Sequence, residues 1–343
     1  MGEYARCAAI ALAVQRRWSD AAIHFVLSRQ APYAAGAPFA STLLPSSPTF
    51  HSPAVIEVLE RLKPDVVIFD NAGRTAQLRA AKRLGAGVVY ISSRRRQRRK
   101  AFRLSWMRML DEHWIAYPEF IAGKLRWHEQ LKLWCLGRPT LRYLDVILPQ
   151  PTPQECAAIV ARLGYLAGSY VLVVAGGGTG HPRAADAVAQ FFIASAELAA
   201  GGVATVFVGP PGAQEAGGET LKDPCLHRVG PLPQNELAAL MRSARLILAN
   251  GGSTLMQGIA CANACVAVPI AGDQIGRIKH CVRHQVAVAA ALDSADMVRA
   301  VNALLNDEPA RAALARRAAE LHLRDGIDIS LRALEQLIEP RVK

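Results

Sequence analysis

Two glycine-rich turns carry the chemistry most legible in this 343-residue chain. One, Gly176-Gly177-Gly178-Thr179-Gly180, directly follows the apolar run Tyr170-Val171-Leu172-Val173-Val174 and Ala175. The other, Asn250-Gly251-Gly252-Ser253-Thr254, follows Leu246-Ile247-Leu248-Ala249 and opens a stretch of small residues that includes Gln257. A third apolar run, Val266-Ala267-Val268-Pro269, ends in the polar loop Gly272-Asp273-Gln274. Glycine lets a backbone approach an anion closely, and the free amides at a helix start attract it. Turns of this kind at the C-terminal ends of parallel strands are where open sheets bind ligands, and the pair reads as a diphosphate site. His181 and Arg183 follow the first turn, and Arg183 could fork a phosphate.

Acid–base chemistry has fewer candidates. Asp70-Asn71 and Arg74 come just after the apolar run Val66-Val67-Ile68-Phe69. A carboxylate there could deprotonate or position an acceptor hydroxyl, and it could equally cap the next helix. His113, Tyr117 and Glu119 lie further on without a sequence cue to their orientation. Between Ser92 and Arg108 lie Arg94, Arg95, Arg96, Arg98, Arg99, Lys100, Arg103 and Arg108, with no acid among them. Such a run suits an anionic acceptor or an anionic membrane surface, a solvated face, or, as the least favoured partner, nucleic acid. Trp106, Trp114, Trp127 and Trp134 concentrate in the same region and are expected to be core rather than platform.

The stretch Leu246–Gln274 resembles the nucleotide-sugar site of the GT-B glycosyltransferases, above all MurG and its relatives. In that family a Gly-rich turn leads through a Thr to a Glu on the ribose, then to a strand ending in Pro and an Asp-Gln or Gln-Gln pair. Gly251, Thr254, Pro269 and Asp273-Gln274 match the pattern. Gln257 stands where Glu is usual, Ala262 where Gly is usual and Ala264 where Pro is usual. Gln can still hydrogen-bond a ribose hydroxyl, without charge assistance. The resemblance implies two Rossmann-like domains facing across a cleft, with the donor in the C-terminal one and the acceptor in the N-terminal one. It implies that Asp273-Gln274 hydrogen-bond the donor sugar. Such proteins begin with a strand, a loop ending Gly-His and a helix. PseG-type nucleotide-sugar hydrolases place an Arg three positions after that His. Gly2-Glu3-x-x-Arg6 fits this loop with Glu for His, and the first strand is missing, so the start could be truncated. By that likeness Glu3 is the first candidate for catalytic base, with Asp70 as the alternative, and Arg6 joins the anion-binding set.

These residues need scaffolding that the rest of the chain supplies. Strand–helix alternation over 23–91 and again over 170–290 predicts α/β architecture with parallel sheets. The expected organisation is an acceptor-side domain over residues 1–148, a Pro-rich linker over 149–155, a nucleotide-sugar domain over 156–320 and C-terminal helices over 321–343. With 51% hydrophobic and 20% charged residues the chain reads as well buried rather than disordered. No apolar run approaches the ~20 residues needed to span a bilayer, and no secretory signal is visible. Seven cysteines without CxxC spacing fit a reducing cytosol and give no metal site.

The expectation is therefore a metal-independent glycosyltransferase with no cofactor beyond its nucleotide-diphosphate sugar, with UDP as the favoured nucleotide. Its acceptor would be anionic or lipid-linked, in cell-envelope or surface polysaccharide synthesis. The protein would be cytoplasmic or peripheral on the inner face of the cytoplasmic membrane. The rival readings are a PseG-like nucleotide-sugar hydrolase and a non-catalytic polyanion or membrane-surface binder on a decayed GT-B fold.

Overall fold

The computed structural model describes residues 2–31, 34, 36–176, 184–210 and 223–338. The chain divides into two compact units, an N-terminal one of residues 3–147 with 324–343 and a C-terminal one of residues 148–323 with the first two residues.

The N-terminal unit opens on α1 (Gly2–Arg17), β1 (His24–Ser28) and β2 (Ala40–Leu44), followed by a 3-10 turn at Pro48–Phe50. It continues through α2 (Ser52–Leu62), β3 (Val66–Asp70), α3 (Thr75–Arg83), β4 (Gly87–Ser92), α4 (Arg95–Ala101) and α5 (Leu104–Met107). Then come β5 (Glu112–Ile115), α6 (Glu119–Ala122), α7 (Trp127–Leu136) and β6 (Thr140–Tyr143). Strands β3-β4-β5-β6 form one parallel sheet in that order, while β1 and β2 pair in parallel as a separate ribbon. Every residue of β4 is buried, which is why Gly-Val-Val-Tyr-Ile-Ser shows no alternation: both faces of a parallel sheet are covered. One face, with Phe69 and Tyr90, packs on Val55, Leu59, Leu78, Ala101 and Trp106. The other, with Val89, Ile91 and Trp114, packs on Ala9 and Ile10 of α1.

That second face also receives Ala333 and Leu334 of α15 (Gly326–Ile338), the last helix of the chain. A bridge between Val146 and Asp325 and an ion pair of Arg324 with Asp145, 2.9 Å, fix its entry. Residues 324–338 thus complete the N-terminal core rather than standing apart as C-terminal helices.

The C-terminal unit starts with α8 (Pro153–Arg162), so residues 153–155 are a helix turn and not linker. The reason is a capping box: Thr152 Oγ1 accepts the Glu155 amide and Glu155 accepts the Thr152 amide. Next are β7 (Val171–Val174), α9 (Ala184–Ala200), β8 (Thr205–Val208), β9 (Leu226–Val229), α10 (Gln234–Ser243) and β10 (Leu246–Asn250). The unit continues with α11 (Ser253–Ala260), β11 (Cys265–Val268), α12 (Gly272–Arg283), β12 (Val288–Ala289), α13 (Ser294–Asn306) and α14 (Glu308–Glu320). Its six-stranded sheet is parallel throughout, in the order β12-β11-β10-β7-β8-β9. Phe191, Met297, Val301 and Leu314 from α9, α13 and α14 share a core cluster with Val173, Leu248 and Val266 of the sheet. The strand order reverses between β7 and β10, the Rossmann arrangement, and ligands bind such sheets at that reversal.

Candidate functional site

The reversal is where the two glycine turns lie. β7 and β10 are neighbours, with Val174 opposite Ala249, so Gly176 and Gly251 leave the sheet side by side. Asn250 joins them: its Nδ2 donates to the Ala175 carbonyl at 3.0 Å, and its Oδ1 accepts the Gly252 amide at 2.8 Å. Gly176 adopts φ +80°, and a Cβ there would lie 2.0 Å from Asn250 Nδ2, so only glycine fits. A Cβ on Gly251 would lie 2.6 Å from Ile278 Cδ1 and one on Gly252 2.5 Å from Asn250 Oδ1. The glycines are therefore required by the close packing of α12 and Asn250, whatever sits above them. Gly177, Gly178, Thr179 and Gly180, with His181 and Arg183, lie outside the described residues.

Gly252 is the N-cap of α11, so the first-turn amides beginning at Ser253 and Thr254 have no acceptor within the helix. They form the positive end of α11. Ser253, Thr254 and Gln257 are half-buried along it. The polar loop after β11 comes to the same place. Gln274 Oε1 accepts the Ile270 amide at 2.8 Å, while its Nε2 lies beside Gly252. Asp273 is exposed in the first turn of α12 and pairs with Arg277 at 3.5 Å. Arg277 is buried, and its Nη1 donates to the Gly251 carbonyl. The structure thus brings Gly176, Gly251, Gly252, Asp273 and Gln274 to one edge of the sheet. Arg277 was not anticipated as part of it, and Asn250 was read in the turn without a role of its own. Their sequence signals were an Asn closing the strand before Gly-Gly, and an Arg four residues after Asp273.

In the N-terminal unit the acid–base candidates fall into two classes. Asp70 closes β3, and both its oxygens are engaged by Arg6, through Nε at 2.8 Å and Nη2 at 2.7 Å. Cys7 Sγ adds a contact at 3.5 Å. Burial raises the Asp70 carboxyl above its usual range against the pull of Arg6. Its basicity is shielded, because neither oxygen is open. The same pair occupies Arg6, which is buried and offers its guanidinium to Asp70 rather than to an external anion.

Glu3, in the first turn of α1, is half-buried, and its Oε1 accepts from Asn71 Nδ2 at 3.2 Å. Asn71 sits in the left-handed region at φ +53° and is locked to Ser93, donating to its Oγ at 2.7 Å and accepting its amide at 2.9 Å. Burial works to raise the Glu3 carboxyl, but its helix-start amide bond, Arg6 and Asn71 together bring it below the usual value. Glu3 is thus an anion held in place by Asn71 at the end of β3.

The basic segment splits. Arg94, Arg95, Arg96 and Arg99 are exposed, on α4 or at its start. Arg98 is buried: it pairs with Glu129 at 2.7 Å and donates to the carbonyls of Ala122, Gly123 and Lys124. It is a brace between α4 and α7, not a surface cation, because the helix turns it inward. Lys100 donates to the Gly73 carbonyl and lies 4.3 Å over the Trp106 ring. Burial lowers its pKa, and the charges of Arg74, Arg103 and Arg96 lower it further. Arg74 is exposed, donates to the Thr49 carbonyl and stacks over Phe50, itself exposed. His113 does not face any acceptor. It is fully buried between Phe102 and Tyr90, bonded to Ser92 Oγ at 2.9 Å. Of the tryptophans read as core, Trp106 and Trp114 are buried, but Trp127 and Trp134 are exposed.

Among the described residues no group of three His, Cys, Asp or Glu side chains is placed to hold a metal, and no helix is long and apolar enough to cross a membrane. No protein-family model matches the chain, and no curated protein sequence does. Solved structures do. The spinosyn rhamnosyltransferase SpnG aligns at TM-score 0.62 and 14% identity over 96% of this chain and 95% of its own. The Acinetobacter baumannii MurG aligns at 0.60 and 13% over 98% and 96%. A UDP-N-acetylglucosamine 2-epimerase aligns at 0.58 and 14% over 98% and 92%. At such identity the likeness shows the fold. The chain has the GT-B fold, as the resemblance in Leu246–Gln274 implied.

Proposed function

We propose that this protein is a glycosyltransferase that takes a sugar from a nucleotide-diphosphate donor, with UDP as the favoured nucleotide. The observation that carries the reading is the strand-order reversal, where Asn250 joins the Gly176 turn to the Gly251–Thr254 turn at the positive end of α11. The diphosphate would lie on those turns and on Gly177–Gly180, the nucleoside along α11 toward Gln257, and the sugar against Asp273 and Gln274. Transfer needs two substrates aligned, a proton taken from the acceptor hydroxyl and the departing diphosphate stabilised. Glu3, held by Asn71, is the carboxylate that would take the proton. Helix amides and the Arg277-backed Gly251 turn offset the leaving charge, so the reaction requires no metal ion or other cofactor.

On the acceptor side, Arg74 over exposed Phe50, with the charges of Arg96, Lys100 and Arg103 acting on one another, suits a substrate that is anionic and partly apolar. That chemistry fits a phosphorylated or lipid-linked acceptor of cell-envelope or surface polysaccharide synthesis, met in the cytoplasm or at the inner face of its membrane. SpnG carries the name of a rhamnosyltransferase on the same fold, which supports the reaction class. The test is release of nucleoside diphosphate from a panel of UDP- and dTDP-sugars with anionic lipid-linked acceptors. Acceptor-dependent release that survives a chelator is expected. Release independent of any acceptor would mean hydrolysis instead, and no release with any donor would refute the reading.

A further inference from the structure

The side-chain carboxamide of Asn250 is wedged between the two glycine turns. It is the nearest neighbour of a Cβ placed on either: Nδ2 at 2.0 Å from one on Gly176, Oδ1 at 2.5 Å from one on Gly252. The residue is 7% exposed, so each of its polar atoms needs a partner, and each has one. Nδ2 donates to the Ala175 carbonyl at 3.0 Å, and Oδ1 accepts the Gly252 amide at 2.8 Å. A carbonyl oxygen only accepts and a backbone N–H only donates, so these partners fix which way the carboxamide faces.

Those two bonds act on the backbone of both turns. The Ala175 carbonyl and the Gly176 amide belong to one planar peptide unit, as do the Gly251 carbonyl and the Gly252 amide. Asn250 therefore holds the plane that opens the first turn and the plane inside the second. The second plane is held at its other end too, because buried Arg277 donates through Nη1 to the Gly251 carbonyl. The Gly251 amide donates to the Val268 carbonyl at 2.9 Å. With the Gly251 and Gly252 amides engaged, the donors left to a ligand on this turn begin at Ser253. Glycine peptides otherwise rotate at little steric cost, so a cradle made of them needs such a lock.

We propose that Asn250 is a positioning residue for the donor: its carboxamide locks the Gly176 turn and the Gly251–Thr254 turn into one diphosphate cradle without touching the ligand. The inference rests on the donor reading of this edge and adds that the two turns bind as a unit. A phosphate held by several backbone amides needs them oriented together before it arrives. A turn released from the lock must be ordered by the ligand, and affinity falls even where the fold survives.

One substitution both breaks and remakes the lock. Asn250→Asp keeps the shape of the side chain. Ionised, the introduced carboxylate still accepts the Gly252 amide but sets an oxygen against the Ala175 carbonyl with no hydrogen between them. Protonated, its hydroxyl donates to that carbonyl while its other oxygen accepts the amide, as the carboxamide does. Burial and the facing carbonyl favour the protonated form, so the lock should return as pH falls. Asp273 and Arg277 of α12 face the same turn and are common to parent and variant. Their titration, like that of the histidines and of the ligand phosphates, cancels in the ratio of the two affinities.

The experiment is calorimetric titration of UDP and dTDP into the full chain, Asn250→Asp and Asn250→Ser, with melting temperature followed at each pH. Relative to the parent, Asn250→Asp is expected to bind at least about tenfold more weakly at about pH 8 and to come within about threefold at about pH 5. Asn250→Ser is neutral and too short to reach both turns, and should be at least about tenfold weaker at both. It carries the comparison if Asn250→Asp has melted at the higher pH. A residue that only stabilises the fold would move the melting temperature without this pH-dependent ratio. Parent-like affinity of either variant at the higher pH, or a deficit in Asn250→Asp that persists at the lower one, would overturn the proposal and leave the donor reading standing. Absence of diphosphate binding by the parent would instead overturn the donor reading, and the positioning role with it.

Discussion

At Asn71 the backbone turns left-handed, and one side-chain amide then serves both Ser93 and Glu3. Asn tolerates that conformation better than most residues, and here it converts a turn into a positioned carboxylate. Asp70, one residue earlier, is spent on Arg6. The two acids are thereby assigned different work, which predicts different signatures on removal. Glu3→Gln should lower turnover by about 10²–10⁴-fold with donor affinity and melting temperature kept, as expected for loss of a positioned base. Arg6→Ala should leave Asp70 buried without its partner and destabilise the fold by about 3–5 kcal/mol. Turnover of Glu3→Gln and chemical denaturation of Arg6→Ala check these directly. Full activity in the first would remove Glu3 from the chemistry, and wild-type stability in the second would mean the pair is not a brace.

At the scale of elements, most of the strong strands were legible because β4, β7, β8, β10 and β11 are interior parallel strands with unbroken apolar runs, and the edge strand β3 carries a similar run. Among the strands that escaped are β2, β5, β6 and β9. They read Ala-Ser-Thr-Leu-Leu, Glu-His-Trp-Ile, Thr-Leu-Arg-Tyr and Leu-His-Arg-Val, with polar or charged residues inside short spans. Long-range pairing makes them strands: Arg142 of β6 reaches Glu112 of β5 at 2.9 Å, which no local pattern discloses. The glycine turns and the Asp273-Gln274 loop were legible from their residues. The roles of Arg277 and Asn250 were not, because each acts through a backbone group distant in sequence. The buried roles of Arg98 and His113 were hidden for the same reason.

His113 has a consequence that can be measured. Burial, helped by Arg98, pushes its pKa down to about 3, far below the usual 6.5, so the folded state keeps the ring neutral. The unfolded chain protonates at its ordinary value, so stability is full above pH 6.5 and falls with acid until about pH 3. The slope this one group contributes is at most ~1.4 kcal/mol per pH unit. Denaturation midpoints of the parent and His113→Gln, compared from about pH 7 to about pH 4, should show a shallower loss in the variant. Equal slopes would contradict the buried neutral ring.

At the scale of the whole molecule, the chain builds two parallel-sheet units and sends its last helix back to the first. That return was invisible in the order of elements, since α15 has an ordinary amphipathic pattern and its partner face, with Val89, Ile91 and Trp114, lies more than two hundred residues earlier. Among the described residues, the β7–β10 reversal brings the ends of two glycine turns and a helix start together. The central claim is that this edge holds a donor diphosphate. The most direct measurement is calorimetric titration of UDP, dTDP and uridine into the folded protein, with melting temperature followed in parallel. The account predicts one-to-one binding of at least one diphosphate, about a hundredfold tighter than uridine (~2.7 kcal/mol), with a matching rise in melting temperature. Binding of neither diphosphate, or uridine binding as tightly as UDP, would contradict it.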